Sequence, residues 1–419
     1  MTFNPILSTL PAPAGGNIAV RVTPAAERAL RKGHPWCYES AITHQSREGA
    51  PGELAVLFDS RRNFLAVGLY DPTSMIRVRV LQHRKAAQIN ADWFAQQLEK
   101  AARLRAPLAN TPAERRTTGY RLVHGENDGL PGLVIDRYAN TLVMKLYTPA
   151  WIPHLAAVCR TLSAIHPAER LILRLNRSLQ DQPAWLSGLH DGLILSGPEL
   201  EEPILFQENG LFFESDPIHG QKTGFFLDQR ENRARVEALA AGKSVLNLFA
   251  YTGGFSVYAA RGGARRVISV DLSRPACDAA HRNMDHNRRN PAVAAAVHQT
   301  IAEDAFVVMG QMKAQNTQFD LIVIDPPMFA QNQTQVSAAV AAYRRLTRMG
   351  LGLLRPGGFL VQASCSSRVD AETFFNAIHQ AARETGRALR EMERTGHALD
   401  HPIGYPEGAY LKCLFARAP

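Results

Sequence analysis

Residues 244–271 of the 419-residue chain read SVLNLFAYTGGFSVYAARGGARRVISVD. In this stretch an apolar run, a Thr-Gly-Gly turn, a helix-length segment and a second apolar run ending in Asp271 follow one another. The succession is typical of a strand–helix–strand unit, in which a crossing helix joins two parallel strands. It predicts an open α/β sheet whose ligand crevice lies outside the carboxyl ends of the strands.

The same alternation of strands and helices continues to the end of the chain. Strands are predicted near residues 244–249, 267–271, 297–300, 320–325 and 359–363, and a last one, 410–417, is expected antiparallel at one edge of the sheet. Small, acidic or thiol residues follow three of these runs, in the sequences TGG, DPP and SCSS. Because parallel strands end at one edge, the candidate site is expected there.

Two further domains are predicted upstream, because 419 residues exceed the usual size of one core. Residues 17–84 hold short strands and one basic helix beginning at Pro24, which is typical of a small β-rich module. Residues 85–203 predict a central α+β domain with a hairpin across Ala139-Asn140, and the segment 125–132 is interpreted as turn residues. Residues 204–419 form the third domain and open on a hairpin across Asn209-Gly210.

The charge balance favours a polyanionic partner. Lys and Arg number 47 against 38 Asp and Glu, which gives a net charge of +9. The alternating residues 76–80 put Arg77 and Arg79 on one exposed face of a strand, where they either contact a polyanion such as RNA or solubilise an edge strand. A basic enzyme without such a partner is the alternative interpretation.

Cysteine content and hydropathy define the expected compartment. The five cysteines include no Cys-x-x-Cys pair and no Cys/His cluster, which is unlike a disulfide framework or a structural zinc site, so no metal is expected. No apolar run approaches the length of about 18 residues that spans a bilayer. A cytoplasmic location in a reducing compartment, without a membrane partner, is therefore expected.

The turn after the first strand has the features of a cofactor site. Thr252, Gly253 and Gly254 open a helix, so their backbone N–H groups can approach a polar or anionic ligand. Asp271, about 20 residues further on, can accept both hydroxyls of a ribose, although it could instead cap the next helix. Asp304 is expected either at an adenine edge or as a helix cap.

Two later motifs favour methyl transfer over the hydride transfer of dinucleotide-binding enzymes. Asp325 is followed by two prolines, which end a strand and fix the carboxylate toward the crevice, and Phe329 could then stack on a base. Cys365 leaves the neighbouring strand between two serines, where a thiolate nucleophile would be exposed. The remaining cysteines, Cys37, Cys159, Cys277 and Cys413, are interpreted as core residues.

These residues resemble the RlmI-like family of ribosomal RNA large subunit (cytosine-5-)-methyltransferases. The resemblance covers nearly the whole chain and is carried by the segments RKGHPWCY, DGLPGLVIDRY, KTGFFLDQR, NLFAYTGGFSV, VISVDLS, DLIVIDPP, SCSS and HPIGYPEGAYLK. It implies a Rossmann-like class I methyltransferase domain preceded by a PUA-like RNA-binding domain and a central α+β domain. A homodimer is left open as the assembly.

The resemblance also implies a reaction and a set of site residues. It implies S-adenosylmethionine as cofactor and methyl donor, C5 of a cytosine in 23S rRNA as acceptor, Cys365 as nucleophile and Asp325 as its partner. The residues that it implies for cofactor binding are Asn247, Phe249, Tyr251, Thr252, Gly253, Gly254, Asp271, Asp304, Asp325 and Arg230.

The chain departs from the family pattern at two positions. Met328 stands where the family typically has a lysine after DPP, and Thr347 stands where it has an asparagine. Two alternatives therefore stay open beside the cytosine-C5 enzyme. One is an RNA methyltransferase that acts on an exocyclic amine through the DPP motif, and the other is a non-catalytic RNA-binding protein.

Overall fold

The structure is a computed structural model that describes residues 2–13 and 15–419. Contacts group the chain into two compact units. The first unit comprises the chain up to Gln207 together with Ser215–Phe225 and Leu399–Tyr405, and the second comprises Glu208–Glu214, Phe226–Ala398 and Pro406–Pro419.

The first unit begins with a six-stranded sheet, as the β-rich pattern predicted. Its strands are β1 (Ile18–Val22), β2 (Trp36–Cys37), β3 (Ile42–Gln45), β4 (Leu54–Phe58), β5 (Phe64–Tyr70) and β6 (Val78–His83), in the order β2-β6-β5-β4-β1-β3. A short helix, α1 (Ile6–Thr9), precedes it, and α2 (Pro24–Arg31) follows β1. Helix α2 begins at the predicted proline because Thr23 caps it, accepting from the Ala26 N–H at 3.3 Å.

Arg77 and Arg79 do not form the exposed basic face that the alternation predicted. Arg77 precedes β6, and its Nη2 lies 2.5 Å from Oε1 of Glu39. Arg79 is 7% exposed, its Nη1 lies 3.6 Å from Oε1 of Glu126, and burial lowers its pKa. The prediction is wrong because both guanidinium groups lie against carboxylates and are largely covered.

A five-stranded sheet with flanking helices completes the first unit. Its elements are α3 (Ala91–Ala109), β7 (Gly119–His124), β8 (Leu133–Tyr138), β9 (Thr141–Leu146), α4 (Leu155–Ile165), β10 (Arg170–Leu175), α5 (Arg177–Gln180) and β11 (Ile194–Ser196), with strand order β11-β10-β9-β8-β7. The hairpin across Ala139-Asn140 is confirmed, with Tyr138 paired to Thr141 and Ala139 at φ 50°.

Side chains from residues 17–84 and 85–203 share one core. Leu69 and Leu81 of the six-stranded sheet belong to the same buried cluster as Trp93 of α3. The Thr148 hydroxyl donates to Asp71 Oδ2 at 2.7 Å across the predicted boundary. Both segments therefore lie in the first compact unit, and their separation into two domains stays a prediction.

The second unit is built on a seven-stranded sheet in the order β16-β15-β14-β17-β18-β20-β19. Ahead of it in the sequence, β12 (Ile204–Glu208) and β13 (Leu211–Ser215) form the predicted hairpin, with positive φ at Asn209 and Gly210; residues 204–207 and Ser215 of this hairpin belong to the first unit. The remaining elements are α6 (Arg230–Leu239), β14 (Ser244–Leu248), α7 (Gly254–Arg261), β15 (Arg266–Asp271), α8 (Arg274–His286), α9 (Pro291–Ala295), β16 (Val297–Ala302), α10 (Ala305–Ala314), β17 (Phe319–Ile324), α11 (Val336–Leu353), β18 (Leu354–Ser364), α12 (Ala371–Glu384), β19 (Arg390–Thr395) and β20 (Lys412–Arg417).

Strands β16, β15, β14, β17 and β18 are parallel, as predicted from the alternating pattern. The last strand, β20, is antiparallel to β18, also as predicted, but it does not lie at the edge. Strand β19 pairs with its other side and forms the edge. The sequence REMERT of β19 is almost entirely exposed and lacks apolar alternation, so it was not predicted.

Candidate functional site

The predicted strand-end residues come together at one edge of the seven-stranded sheet. From β14 the chain continues to one side through β15 and β16, and then to the other through β17 and β18. The strand order therefore reverses between β14 and β17, which is where open α/β sheets bind ligands. Asn247 lies in β14, Asp271 ends β15, and Asp325 and Cys365 follow β17 and β18.

The turn after β14 has an unusual backbone. Phe249, Tyr251 and Gly253 all have positive φ, at 59°, 45° and 76°. Asp271 holds the turn, because its Oδ2 accepts from the Tyr251 N–H at 2.8 Å. The Asn283 amide also donates to the Thr252 carbonyl at 2.8 Å. Left-handed backbone at non-glycine residues persists where the surroundings enforce it, and such positions cluster at ligand sites.

Two buried polar atoms beside this turn have no hydrogen-bond partner among the described residues. They are Oδ1 of Asn247 and Oγ1 of Thr252, in side chains of residues that are 1% and 8% exposed. The Asn247 Nδ2 is fixed by a 2.9 Å bond to Ser256 Oγ, so the orientation of its oxygen is set. Because buried polar atoms are nearly always paired, these two fit a polar ligand bound at the turn.

Asp271 and Asp304 were each predicted either to contact the cofactor or to cap a helix, and only Asp304 caps one. Ser273, not Asp271, caps α8, and Asp271 Oδ1 only accepts from the Ser273 N–H at 2.9 Å. Asp304 does cap α10, accepting from the Phe306 N–H at 2.8 Å. Asp271 therefore remains a candidate ribose acceptor, and a contact of Asp304 with adenine stays a prediction.

Arg230 and Gly254 lie at helix starts. Gly254 begins α7, directly after the left-handed Gly253. Arg230 begins α6, is 1% exposed and lies 3.4 Å from Glu231. The Phe226 ring packs at 5.1 Å on Tyr251, so the segment that leads into α6 contacts the turn. A direct role of Arg230 in cofactor binding stays a prediction.

Cys365 differs from the other cysteines in its exposure. It is partly exposed, whereas Cys37, Cys159, Cys277 and Cys413 are buried as predicted. Burial raises the pKa of all four of these thiols, to about 12 for Cys37 and Cys159. The four buried thiols are therefore held protonated, and Cys365 is the cysteine that solvent and substrate can reach.

Tyr343 connects the ends of β17 and β18. It is fully buried, and its hydroxyl lies 2.8 Å from Ser364 Oγ. Burial raises the pKa of Tyr343 to about 12, and negative charge at Cys365 and Asp325 acts in the same direction. Both predicted catalytic residues thus lie near enough to the Tyr343 phenol to act on it electrostatically.

The two departures from the family pattern have different surroundings. Met328 is 45% exposed, so it offers the site a flexible apolar side chain. Thr347 is fully buried in α11, and its hydroxyl lies 2.9 Å from both the Tyr343 carbonyl and Gln362 Oε1. Thr347 therefore supports the helix beneath the site. Phe329 packs on Tyr343 at 5.3 Å, and its stacking on a base stays a prediction.

Lys412 is a functional candidate that sequence reasoning missed. It is 5% exposed, it pairs with Ser364 across β18 and β20, and its Nζ donates to the carbonyls of Ser366, Val369 and Tyr410. Burial lowers its pKa to about 8, and negative charge at Cys365 opposes this shift. The sequence signal was weak, because the strand that Lys412 begins also ends in a basic residue, Arg417.

The described residues contain neither a membrane-spanning helix nor a cluster of metal ligands. No helix there combines the length and apolar character that crossing a bilayer requires. Within the same residues, His, Cys, Asp and Glu side chains form no group of three or more that could hold a metal ion.

Comparison with known families assigns the class of the protein. A family model described as S-adenosylmethionine-dependent methyltransferase matches residues 120–417, and one described as PUA-like domain matches residues 20–83. The first match spans well over half of the chain, so the chain belongs to the S-adenosylmethionine-dependent methyltransferase family. S-adenosylmethionine is its cofactor, as the sequence predicted.

Curated relatives extend over almost the full length. A ribosomal RNA large subunit methyltransferase of Deinococcus radiodurans is 47% identical over 97% of this chain and 98% of its own. Ribosomal RNA large subunit methyltransferase I of Pseudoalteromonas translucida is 36% identical over 95% of this chain and 99% of its own. The family resemblance drawn from the sequence motifs is thereby confirmed.

Solved structures share the fold. One, described as a SAM-dependent methyltransferase from Streptococcus mutans, matches with a TM-score of 0.79 at 23% identity, covering 95% of this chain and 99% of that one. Another, described as a methyltransferase complexed with SAH, has a TM-score of 0.80 at 23% identity and covers 96% and 99%. At this identity the similarity concerns the fold, which agrees with the predicted one.

Proposed function

We propose that this chain methylates C5 of a cytosine in large-subunit (23S) ribosomal RNA, with Cys365 as nucleophile. The observation that carries the proposal is the partly exposed Cys365 at the end of the strand adjacent to the one that leads into Asp325, while the other cysteines are buried. The names of the relatives, which are ribosomal RNA large subunit methyltransferases, support rRNA as the substrate.

Cofactor binding is assigned to the ends of β14 and β15. Asn247 Oδ1 can accept from polar groups of S-adenosylmethionine, and Thr252 Oγ1 can accept from or donate to them, since neither has a partner among the described residues. Asp271 keeps lone pairs for ribose hydroxyls beyond its bonds to Tyr251 and Ser273. When bound, the cofactor supplies an electrophilic methyl group.

The remaining assigned contacts complete the proposed cofactor pocket. Strained backbone at Phe249 and Tyr251 turns their N–H and carbonyl groups away from regular strand geometry, which suits a ligand that contacts main chain. Gly253 and Gly254 leave the start of α7 free of bulky side chains. Asp304 and Arg230 are proposed as outer contacts of the pocket.

A thiol nucleophile is required because C5 of cytosine is too weak a nucleophile on its own. The Cys365 thiolate adds to C6, and the electron pair of the C5–C6 double bond moves to C5, which then accepts the methyl group. A base removes the C5 proton, the double bond re-forms and the Sγ–C6 bond breaks, which releases the thiolate. Each turnover thus returns Cys365 unchanged.

Asp325 is proposed to hold the Watson–Crick edge of the base. Its carboxyl group accepts from the N4 amino group and passes a proton to N3, where negative charge develops as the thiolate adds; the proton returns when the thiolate is expelled. Prolines 326 and 327 fix the backbone that carries this carboxylate, since neither can continue a helix. The cytosine must leave its stack to reach the crevice, which favours a single-stranded or flippable target.

The test is identification of the methylated nucleoside. Purified large-subunit rRNA is incubated with the protein and isotopically labelled S-adenosylmethionine, digested to nucleosides and analysed by mass spectrometry. The proposal expects label in 5-methylcytidine and none with Cys365→Ala. Label in an N-methylated cytidine or adenosine would establish the exocyclic-amine alternative instead. Binding of the RNA without any methylation would favour a non-catalytic protein.

The cellular location of the protein and the separate roles of its three domains follow from the same proposal. An rRNA substrate places the protein in the cytoplasm. The positive net charge of the chain suits an RNA partner. We assign RNA affinity to residues 17–84, a central domain to residues 85–203 and catalysis to residues 204–419.

A further inference from the structure

Three side chains form a row across adjacent strands of the six-stranded sheet. Arg21 of β1 pairs with Phe58 of β4 on one side and with His44 of β3 on the other. The row is on the outer face, because the alternate residues Ile18, Val20 and Val22 are buried. Cross-strand neighbours in such a row lie close enough for one ligand to touch all three.

A cavity of about 290 Å³ opens over this row. Besides the row it is lined by Ala19, whose small side chain leaves space beside Arg21, and by Arg62 from the turn between β4 and β5. Its size is close to the lower bound of roughly 300 Å³ for small-molecule pockets, so it suits a single nucleotide unit.

The two guanidinium groups that line the cavity, those of Arg21 and Arg62, are unpaired. The side chains of Arg21, His44 and Arg62 make no hydrogen bond or ion pair with any residue that the structure describes. In contrast, four arginines of the same module contact carboxylates: Arg31 contacts Asp59, Arg47 contacts Glu53, Arg77 contacts Glu39 and Arg79 contacts Glu126. The cavity therefore combines two unpaired guanidinium groups with the ring of Phe58.

The position of Arg62 is fixed by its turn. Asp59 is 3% exposed and accepts from the N–H groups of Arg61 and Asn63 at 2.9 and 2.8 Å. Arg62 itself has a φ of 64°, a conformation that this hydrogen-bonded turn imposes. A guanidinium presented from a fixed turn loses less freedom on binding a ligand than one on a mobile loop.

We propose that this cavity is a subsite for one nucleotide of single-stranded RNA, in which Arg21 and Arg62 hold the phosphate and Phe58 stacks on the base. The proposal rests on the proposed function, since it takes RNA to be the substrate. Unpaired guanidinium groups bind phosphates, and Phe58 beside them is partly exposed, which is the combination of cations and an aromatic ring with which proteins bind single strands. An acidic peptide would use the cations but would leave Phe58 without a partner ring.

The experiment measures RNA binding by full-length protein with a fluorescein-labelled single-stranded fragment of large-subunit rRNA, by anisotropy over a range of KCl concentrations. Arg21→Ala with Arg62→Ala should weaken binding about tenfold or more and lower the slope of log K against log salt by about 1.4, roughly 0.7 for each lost contact. Phe58→Leu, which keeps an apolar side chain, should weaken binding about fivefold with the slope unchanged.

The matched control is Arg28→Ala with Arg103→Ala, which removes two charges from exposed helix positions outside the cavity. It should retain both affinity and slope. Unchanged affinity and slope in the Arg21/Arg62 variant would overturn the subsite, even if wild-type protein still methylates the RNA. Polyglutamate serves as a competitor in the same assay. If the same concentration of polyglutamate releases the RNA from wild type and from Phe58→Leu, the Phe58 ring contributes nothing to RNA binding, and this result would also overturn the subsite. Absence of methylation with the Arg21/Arg62 effect intact would contradict the proposed function and leave the subsite supported.

Discussion

At the scale of single residues, the environment of Cys365 decides its chemistry. A cysteine is more often a core residue than a nucleophile, and four of the five here are buried. Sequence reasoning distinguished Cys365 by its place at a strand end between serines. It could not find Lys412, because the amine reaches the loop after Cys365 only through the pairing of β18 with β20, far apart in sequence.

We expect Lys412→Met to slow the alkylation of Cys365 by iodoacetamide about threefold or more at neutral pH, because a positive charge stabilises a nearby thiolate. Negative charge at Cys365 and at Asp370 faces the Lys412 ammonium, whose pKa is about 8. The positive charge is present below that pH and lost above it. The difference between variant and wild type should therefore shrink as the pH rises through 8.

Mass spectrometry of the alkylated peptide gives the rate at each pH. Lys313→Met, at an exposed position of α10, is the control and should alkylate like wild type. Thermal melting establishes that the Lys412 variant is folded. A constant difference between variant and wild type at all pH values would show that Lys412 acts only by packing.

Asp271→Ala should weaken S-adenosylmethionine binding by about 1–3 kcal/mol, the cost of leaving polar groups without their charged acceptor. The binding free energy falls because two kinds of group lose the Asp271 carboxylate: the ribose hydroxyls of the cofactor, and the Tyr251 N–H, which donates to it at 2.8 Å. Isothermal titration calorimetry measures it, with Asp278→Ala on the exposed face of α8 as control. Unaltered affinity would mean that the ribose is bound elsewhere.

At the scale of elements, the parallel strands and both hairpins were predictable because each has a local signal. Buried, largely apolar runs mark β14, β15 and β17, and Ala139-Asn140 and Asn209-Gly210 mark tight turns. The edge position of β19 was not predictable, because its sequence is charged and the strand joins the sheet only by pairing with β20. The burial of Arg79 likewise depends on Glu126, which lies on a separate sequence segment.

The turn between β14 and α7 provides a prediction at this scale. Gly253→Ala should lower the free energy of unfolding by about 2–4 kcal/mol, through left-handed backbone strain and overpacking together. The added Cβ would lie 2.8 Å from Ala280 Cβ. Urea unfolding measures the change.

Gly386→Ala is the matched control for this turn. Gly386 has nearly the same φ, 73°, but an added Cβ there meets nothing within 4 Å. The Gly386→Ala substitution should lower the free energy of unfolding by about 1 kcal/mol, which is the contribution of backbone strain alone. Equal losses in the two variants would show that α8 yields to the new methyl group without cost.

At the scale of the whole molecule, buried and partly buried histidines make stability depend on pH. Burial lowers the pKa of His83, His154, His166 and His298, the last to about 4. The unfolded chain therefore binds more protons than the folded one below about pH 6.5, and stability falls as the pH falls from there toward 4. His298→Asn should reduce this loss, whereas the exposed His190→Asn should not. A urea midpoint that is constant over this pH range would contradict the prediction.

The shared core of residues 17–84 and 85–203 also bears on how RNA binding is tested. Leu69 and Leu81 pack in one cluster with Trp93, so deletion of the first module would expose apolar surface in the remainder. Point substitutions at exposed residues avoid this problem. They separate loss of RNA contact from loss of folding, which a truncation cannot do.

The central claim is that Cys365 forms a covalent bond to cytosine C6, and trapping tests it most directly. RNA that carries 5-fluorocytidine at the methylated position is incubated with the protein and S-adenosylmethionine, and the products are separated under denaturing conditions. Because fluorine at C5 cannot leave as a proton, elimination stalls, and wild-type protein should remain attached to the RNA through Cys365. Cys365→Ala should give no adduct. Methylation of ordinary RNA by a wild-type protein that forms no adduct with the fluorinated RNA would contradict the account.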